Sequence, residues 1–227
     1  MFCGKKKAIT FSYDDGVLQD RRLVEILNKY GLKATFNINS ELLGTKNTLN
    51  FNGLKVQHDK IFPDEVATLY SGHEVAVHTL THPHLTYLDD AEIIRQVEED
   101  RKNLSRLAGY EVIGMAYPGG GFQNSDRVEN AIRNHTGVKY ARTISLSYSF
   151  NKQPNVYRFN PTAFHKDFEV NYRLADEFFA RDEGVFYIWG HSYEFDMDDS
   201  WEKFEKFCEY VSGREDVFYG TNKEIII

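Results

Sequence analysis

The sequence predicts an α/β barrel whose working face lies at the C-terminal ends of its strands. Three observations carry that expectation. Strand-like and helix-like stretches alternate about seven times, which implies a parallel sheet joined by helical crossovers. No fixed-period repeat, low-complexity tract or linker breaks the alternation, so residues 1–227 read as one domain, a common size for an α/β barrel. The residues best suited to chemistry (Asp14, Asp15, His78, the turn at Pro118, and His191) each follow a predicted strand, and a barrel gathers such positions on one face.

The first strand carries Ala8, Ile9 and Phe11 and ends in Asp14-Asp15-Gly16. Residues 18–30 place Leu23, Ile26, Leu27 and Tyr30 at helical spacing before Gly31, and 33–38 read as the second strand. The polar stretch 39–60 reads as a surface excursion. Pro63 opens a helix that Gly72 closes. A short strand at 74–77 runs into HTLTHPH at 78–84. Asp89-Asp90 then caps a long helix with Ile93, Ile94, Val97, Leu104 and Leu107 on one side and Gly109 at its end.

The strand 111–117 leads into a Pro-Gly-Gly-Gly turn, followed by a helix near 125–134 and a strand near 139–144. Residues 145–162 are polar and aromatic, with Pro154 and Pro161 as breakers, and show no clear period. A helix at 169–181 precedes VFYIW at 185–189, the clearest buried strand, which ends on Gly190-His191. Ser200 is expected to cap the last helix, before a closing strand at 217–219.

A net charge of −7 argues against a nucleic-acid partner, because phosphate contacts need a basic face. No apolar run approaches the roughly 20 residues of a membrane span. The N-terminus as given lacks the apolar segment of a secretory signal. A cytoplasmic location is therefore expected, or an extracellular or periplasmic one for a trimmed form. Cys3 and Cys208 lie far apart with no CxxC spacing and read as free thiols. With 17 Phe and 14 Tyr the chain is rich in rings of the kind that stack on sugars, although most belong in a core.

Adjacent strand residues point to opposite faces, so Asp14 and Asp15 are unsuited to the same task; one can hold a metal while the other handles a proton. His78 and His82, four apart directly after a strand, have a spacing used for divalent metals if they form one helical turn. With one carboxylate they make a three-ligand set that leaves positions open, the pattern of a catalytic site. His191 projects from a Gly turn, and its reference pKa of about 6.5 suits a general acid or base. Tyr117, Trp189 and Tyr193 are close enough in sequence to these residues to line a sugar groove, and Glu194 is close enough to orient His191.

Four segments, TFSYDDG at 10–16, HTLTHPH at 78–84, MAYPGG at 115–120 and IWGH at 188–191, occur in order. Together they resemble the polysaccharide deacetylases of carbohydrate esterase family 4, the NodB homology domain. The resemblance implies a distorted (β/α) barrel of seven to eight units with a groove across the strand ends. It implies a divalent metal on Asp15, His78 and His82, commonly Zn²⁺, with Co²⁺, Ni²⁺ or Mn²⁺ also able to serve. It further implies Asp14 as general base, His191 as general acid and the Gly119 N–H as oxyanion donor. The implied reaction releases acetate from N-acetylated sugars of a poly- or oligosaccharide.

Two departures stand out. Ala116 occupies the place where the family often has an arginine, and Arg142 on the neighbouring strand is expected to supply that charge to Asp14. The family's Asp-Trp motif is not visible between the third and last segments. The missing arginine motivates a second reading, a catalytically silent carbohydrate-binding module. A third is an O-acetyl esterase on xylan-like chains.

Overall fold

Strand β1 (Lys7–Asp14) is buried along all eight residues, as expected for a strand with neighbours on both edges and layers on both faces. The computed structural model describes residues 2–51, 53–121 and 123–227. Around β1 it arranges β2 (Ala34–Ile38), β5 (Glu74–Val77), β6 (Gly114–Ala116), β7 (Tyr140–Arg142), β8 (Ala163–Phe164), β9 (Gly184–Gly190) and β10 (Val217–Tyr219). The order is β7-β6-β5-β2-β1-β9-β8, with β10 beside the first half of β1, and every pairing is parallel. β9 matches β1 residue for residue, from Lys7 against Gly184 to Tyr13 against Gly190.

The sheet curls into a distorted barrel. Between edge strands β7 and β8 the chain itself spans the gap: Phe159 bridges to Arg142, and Thr162 N–H donates to the Tyr187 carbonyl at 2.7 Å. Residues 145–162, unreadable by period, are this strap.

The helices lie outside. They include α1 (Asp20–Lys29), α2 (Val66–Leu69), α3 (Asp90–Ala108), α4 (Asp126–His135), α5 (Phe168–Phe179), α6 (Glu194–Met197) and α7 (Trp201–Val211). Ile9, Phe11 and Tyr13 of β1 face this layer, with Phe11 and Tyr13 packing edge-on against Phe204 of α7. The alternate residues Thr10, Ser12 and Asp14 face the barrel interior, where they find polar partners. α3 begins and ends as expected: the Asp89 carboxylate accepts from Glu92 N–H at 2.9 Å, and Gly109 closes it at φ 78°.

Some boundaries differ from expectation. The segment after Pro63 is a 3₁₀ turn (Pro63–Glu65) that continues into α2. The strand expected over 111–117 shortens to β6. Ser200 does not cap α7, because its hydroxyl donates to Asp198 at 2.6 Å instead. A terminal helix, α8 (Asn222–Ile226), was not anticipated; its Asn222 is buried and accepts from the Thr10 hydroxyl at 2.9 Å. The excursion 39–60 is not merely a surface loop. It forms an antiparallel hairpin, β3 (Thr48–Phe51) with β4 (Leu54–Gln57). No helix among the described residues is long and apolar enough to cross a membrane.

Candidate active site

The C-terminal ends of β1, β5 and β9 surround a cavity of about 730 Å³ lined by Asp14, Asp15, His78, His82, Gly119, Trp189 and His191. Asp14 ends β1 and points inward. Asp15 lies one residue beyond, and strand alternation alone would turn it away. Its φ of 85° reverses the chain there, so both carboxylates reach one site. Gly16 follows at φ 62°, and a Cβ there would stand 2.8 Å from Ile38, which leaves glycine as the residue that fits.

Asp14 is 2% exposed and accepts from Asn37 Nδ2 at 2.8 Å and from the Arg142 guanidinium on both oxygens. The arginine expected to replace the one missing at Ala116 thus sits on the carboxylate. Arg142 is itself fully buried, donates to Ser12 Oγ at 3.2 Å, and stacks over Trp189 at 4.7 Å. Burial by itself would raise the Asp14 pKa. The Arg142 charge, with smaller help from His78 and His191, outweighs it and holds Asp14 below the ordinary carboxylate range.

His78 follows β5. Its Nδ1 donates to the Ala116 carbonyl at 2.9 Å, which fixes the tautomer, because a carbonyl only accepts. Burial pushes its pKa down to about 4, so the ring is neutral and Nε2 carries a bare lone pair. That lone pair faces Asp15 Oδ1 and Asp14 Oδ2, each at 3.9 Å. His82 Nε2 stands 3.7 Å from the same Asp15 Oδ1. The pair does not meet through a helical turn as expected. A loop with positive φ at Thr79 and His82 brings the rings to 4.9 Å.

The ligand atoms of Asp15, His78 and His82 lie within 4.8 Å of one another. A bare imidazole nitrogen turned toward carboxylate oxygens is electrostatically unfavourable unless a cation lies between them, so this donor set fits a divalent metal. Asp15 is held well below its usual range: burial opposes this, but the Lys60 ammonium and a hydrogen bond from His58 prevail.

His191 follows β9. Its Nδ1 and its backbone N–H both donate to Glu194 Oε2, at 3.2 and 3.1 Å, which leaves Nε2 as the free ring nitrogen. Glu194 also accepts from His165 Nε2 at 2.8 Å. Burial would lower the His191 pKa, but the Glu194 hydrogen bond and charge raise it to about 9. The loop is anchored by Ser192, whose hydroxyl donates to the buried Asp20 carboxylate at 2.5 Å.

Trp189 lines the cavity, as does Tyr193, which packs between His58 and His191. Tyr117 does not, contrary to expectation. It is 1% exposed, and its hydroxyl donates to the Tyr157 carbonyl at 2.9 Å, behind the cavity wall. The sequence reading missed His58, Lys60 and His165. Spacing gave no sign of them, because each arrives through a long-range contact.

A family model for polysaccharide deacetylases matches residues 3–141, more than half of the chain. The chain belongs to the polysaccharide deacetylase family. The match takes in Asp14, Asp15, His78, His82 and Gly119 and stops one residue before Arg142, so His191 and its partners lie outside it. No curated protein matches the chain.

Among solved structures, three deacetylase-type folds illustrate the likeness. A family 4 carbohydrate esterase from Streptomyces lividans, in complex with acetate, is 14% identical with a TM-score of 0.57, covering 96% of this chain and 92% of that one. A mutant of BA3943, described as a CE4 family pseudoenzyme with restored activity, is 16% identical with a TM-score of 0.60, covering 98% and 68%. The Streptococcus pyogenes deacetylase PplD, in complex with acetate, is 19% identical with a TM-score of 0.53, covering 66% of this chain; the chain spans 61% of PplD. At these identities the likeness establishes the fold of this polysaccharide deacetylase family member, a curled (β/α) half-barrel.

Proposed function

We propose that the protein is a metal-dependent hydrolase that removes acetyl groups from N-acetylated sugars in a poly- or oligosaccharide. One observation carries the reading: the Asp15, His78, His82 donor set shares one cavity with an arginine-paired carboxylate, Asp14, and a carboxylate-paired histidine, His191. A divalent cation, commonly Zn²⁺ in such sites, would be held by Asp15, His78 and His82. When bound, it supplies Lewis acidity toward water and toward a carbonyl oxygen.

The remaining work falls to the chain. Asp14, kept ionised by Arg142, accepts a proton from the attacking water. Pairing with arginine lowers its basicity, and the same contact fixes its direction. The Gly119 N–H donates to the oxyanion that develops on the acetyl carbonyl. His191, protonated and steadied by Glu194, donates from Nε2 to the departing nitrogen. Attack of the water oxygen forms the C–O bond and turns the carbonyl into the oxyanion; its collapse breaks the C–N bond as His191 delivers the proton, giving acetate and a free amino sugar. An amide nitrogen needs that proton, because its anion is a very poor leaving group.

Arg142 on Asp14 speaks against the silent-module reading, since it brings a cation to the carboxylate where Ala116 offers none. The test is acetate release from chitin oligosaccharides by metal-loaded protein, with xylan acetate in parallel. Release from the N-acetyl substrate, lost in Asp14→Asn, is expected. Release from acetylated xylan alone, surviving His191→Ala, would transfer the assignment to O-acetyl esters. Binding of oligosaccharides without any release would favour the silent module.

A further inference from the structure

The hairpin carries a residue onto the metal-ligand set that neither motif nor spacing announces. His58 is the first residue after β4, and both of its flanks are tied down. Its backbone N–H donates to the Asn47 carbonyl at 2.8 Å on the hairpin side. Beyond it, Lys60 bridges to Val17, Leu18 N–H donates to the Asp59 carbonyl at 2.9 Å, and Ile61 N–H donates to the Gly16 carbonyl at 3.0 Å. The return of the hairpin is therefore stitched along the turn that holds Asp15.

From there the His58 ring, 7% exposed, places Nε2 3.1 Å from Asp15 Oδ2. An ionised carboxylate only accepts, so Nε2 carries the hydrogen. Lys60 adds its ammonium to the Asp15 carbonyl at 2.8 Å. That contact steadies a non-glycine residue at φ 85°, a backbone state that is strained when unsupported. The two oxygens of Asp15 are thereby divided: Oδ2 belongs to His58, while Oδ1 faces His78 and His82, with the Lys60 ammonium beside it at 3.6 Å.

We propose that His58 is a positioning residue for the metal site, aiming Asp15 so that Oδ1 alone serves as ligand, and that the β3–β4 hairpin thereby belongs to the site. The inference rests on the assignment of Asp15, His78 and His82 as ligands made above. Hydrogen-bonded partners of ligating groups typically govern metal affinity by 10–100-fold.

The experiment is a Co²⁺ titration of chelator-stripped full-length protein, read by calorimetry and by the visible absorption of bound cobalt. It compares the wild type with His58→Phe, His58→Gln and Asp15→Ala, with the melting temperature of each metal-free protein recorded alongside. His58→Phe keeps an aromatic ring but loses the donor, and a weakening of about 10–100-fold with an altered cobalt spectrum is expected. His58→Gln restores an N–H donor and should recover affinity to within a few-fold. If the phenylalanine variant does not fold, His58→Ala takes its place.

Wild-type affinity and spectrum in His58→Phe would overturn the positioning role while leaving the ligand set intact. So would a glutamine variant as weak as the phenylalanine one at equal metal-free stability. Wild-type cobalt binding in Asp15→Ala would instead overturn the ligand assignment, and the inference with it. Acetate release plays no part, so the outcome stands whichever sugar the protein acts on.

Discussion

Asp14 and His191 face one cavity, yet each meets its charge partner by a different route. Asp14 sits at the end of a central strand, and its partner Arg142 comes from the end of another strand, 128 residues away and fully buried. His191 lies in a loop at the cavity rim with its side chain 20% exposed, and its partner Glu194 is three residues on. On the first side a cation pulls a buried carboxylate down; on the second a carboxylate lifts a histidine to about 9. The first arrangement depends on the register of the whole sheet, and the second on a single turn. Damage to the first should therefore weigh most on folding, and damage to the second most on the pH dependence of the chemistry.

The largest expected effect tests that contrast directly. Arg142→Met leaves the Asp14 carboxylate buried without its cation, and breaking a buried pair from one side costs about 3–5 kcal/mol. For a chain of this size the melting temperature should fall by about 6–20 °C. Asp14 is then freed to rise under burial, so the acid limb of the kcat/KM–pH profile should move toward neutrality. A variant with wild-type melting and an unmoved acid limb would break the comparison, because Arg142 would then be neither structural nor tuning.

Glu194→Gln should act the other way: a smaller loss of stability at neutral pH than Arg142→Met, and a large change in pH dependence. If His191 falls from about 9 to its reference value near 6.5, its protonated fraction at pH 8 drops by about 30-fold. The alkaline limb of kcat/KM should move down accordingly. Measured profiles with the limb unmoved would show that Glu194 does not set the charge of His191.

How much of this contrast could be read from the chain follows from the same geometry. The ends of β1, β5 and β9 were legible because β-rich apolar runs stop abruptly at Asp14, His78 and His191. Glu194 was legible as a partner because it is near in sequence. Arg142 could be suggested only through strand adjacency, which needs the fold class first. His58 and Lys60 could not be reached at all. They sit in a polar stretch whose antiparallel pairing is weakly specified by its own residues, and only the contacts with residues 16–18 place them. Tyr117 failed for a related reason: a short β6 turns its ring behind the wall rather than into the cavity. Adjacency in sequence does not decide which side of a strand end a side chain takes.

A third prediction follows from linkage and concerns stability alone. A histidine whose pKa is raised in the folded protein stabilises it fully below the unfolded value near 6.5, and that contribution is lost as pH rises through about 9. Asp14, lowered in the folded protein, has the opposite sign: its contribution is present above the unfolded value near 3.9 and is lost as pH falls through its folded value. Melting curves of metal-free wild type should thus decline on both sides of neutrality. Glu194→Gln should flatten the alkaline decline, and with it the part of the acid decline that Glu194 contributes, since the His165 and His191 contacts hold its own carboxyl far below the ordinary range. An alkaline decline unchanged in Glu194→Gln would show that the Glu194 contact does not stabilise the charged His191.

The smallest expected effect comes from Trp189, which touches both halves. Its ring lies 4.7 Å from the Arg142 guanidinium and 5.6 Å from the His191 ring, and it lines the cavity between them. A partly desolvated cation over an indole gains about 0.5–2 kcal/mol, and phenylalanine retains part of that because its quadrupole is weaker. Trp189→Phe should therefore lower stability by less than about 1 kcal/mol. The informative readout is where activity changes. If Trp189 serves mainly as a wall for sugar, KM rises a few-fold while both pH limbs stay in place. If it serves mainly to hold Arg142 flat against Asp14, kcat falls and the acid limb shifts while KM stays.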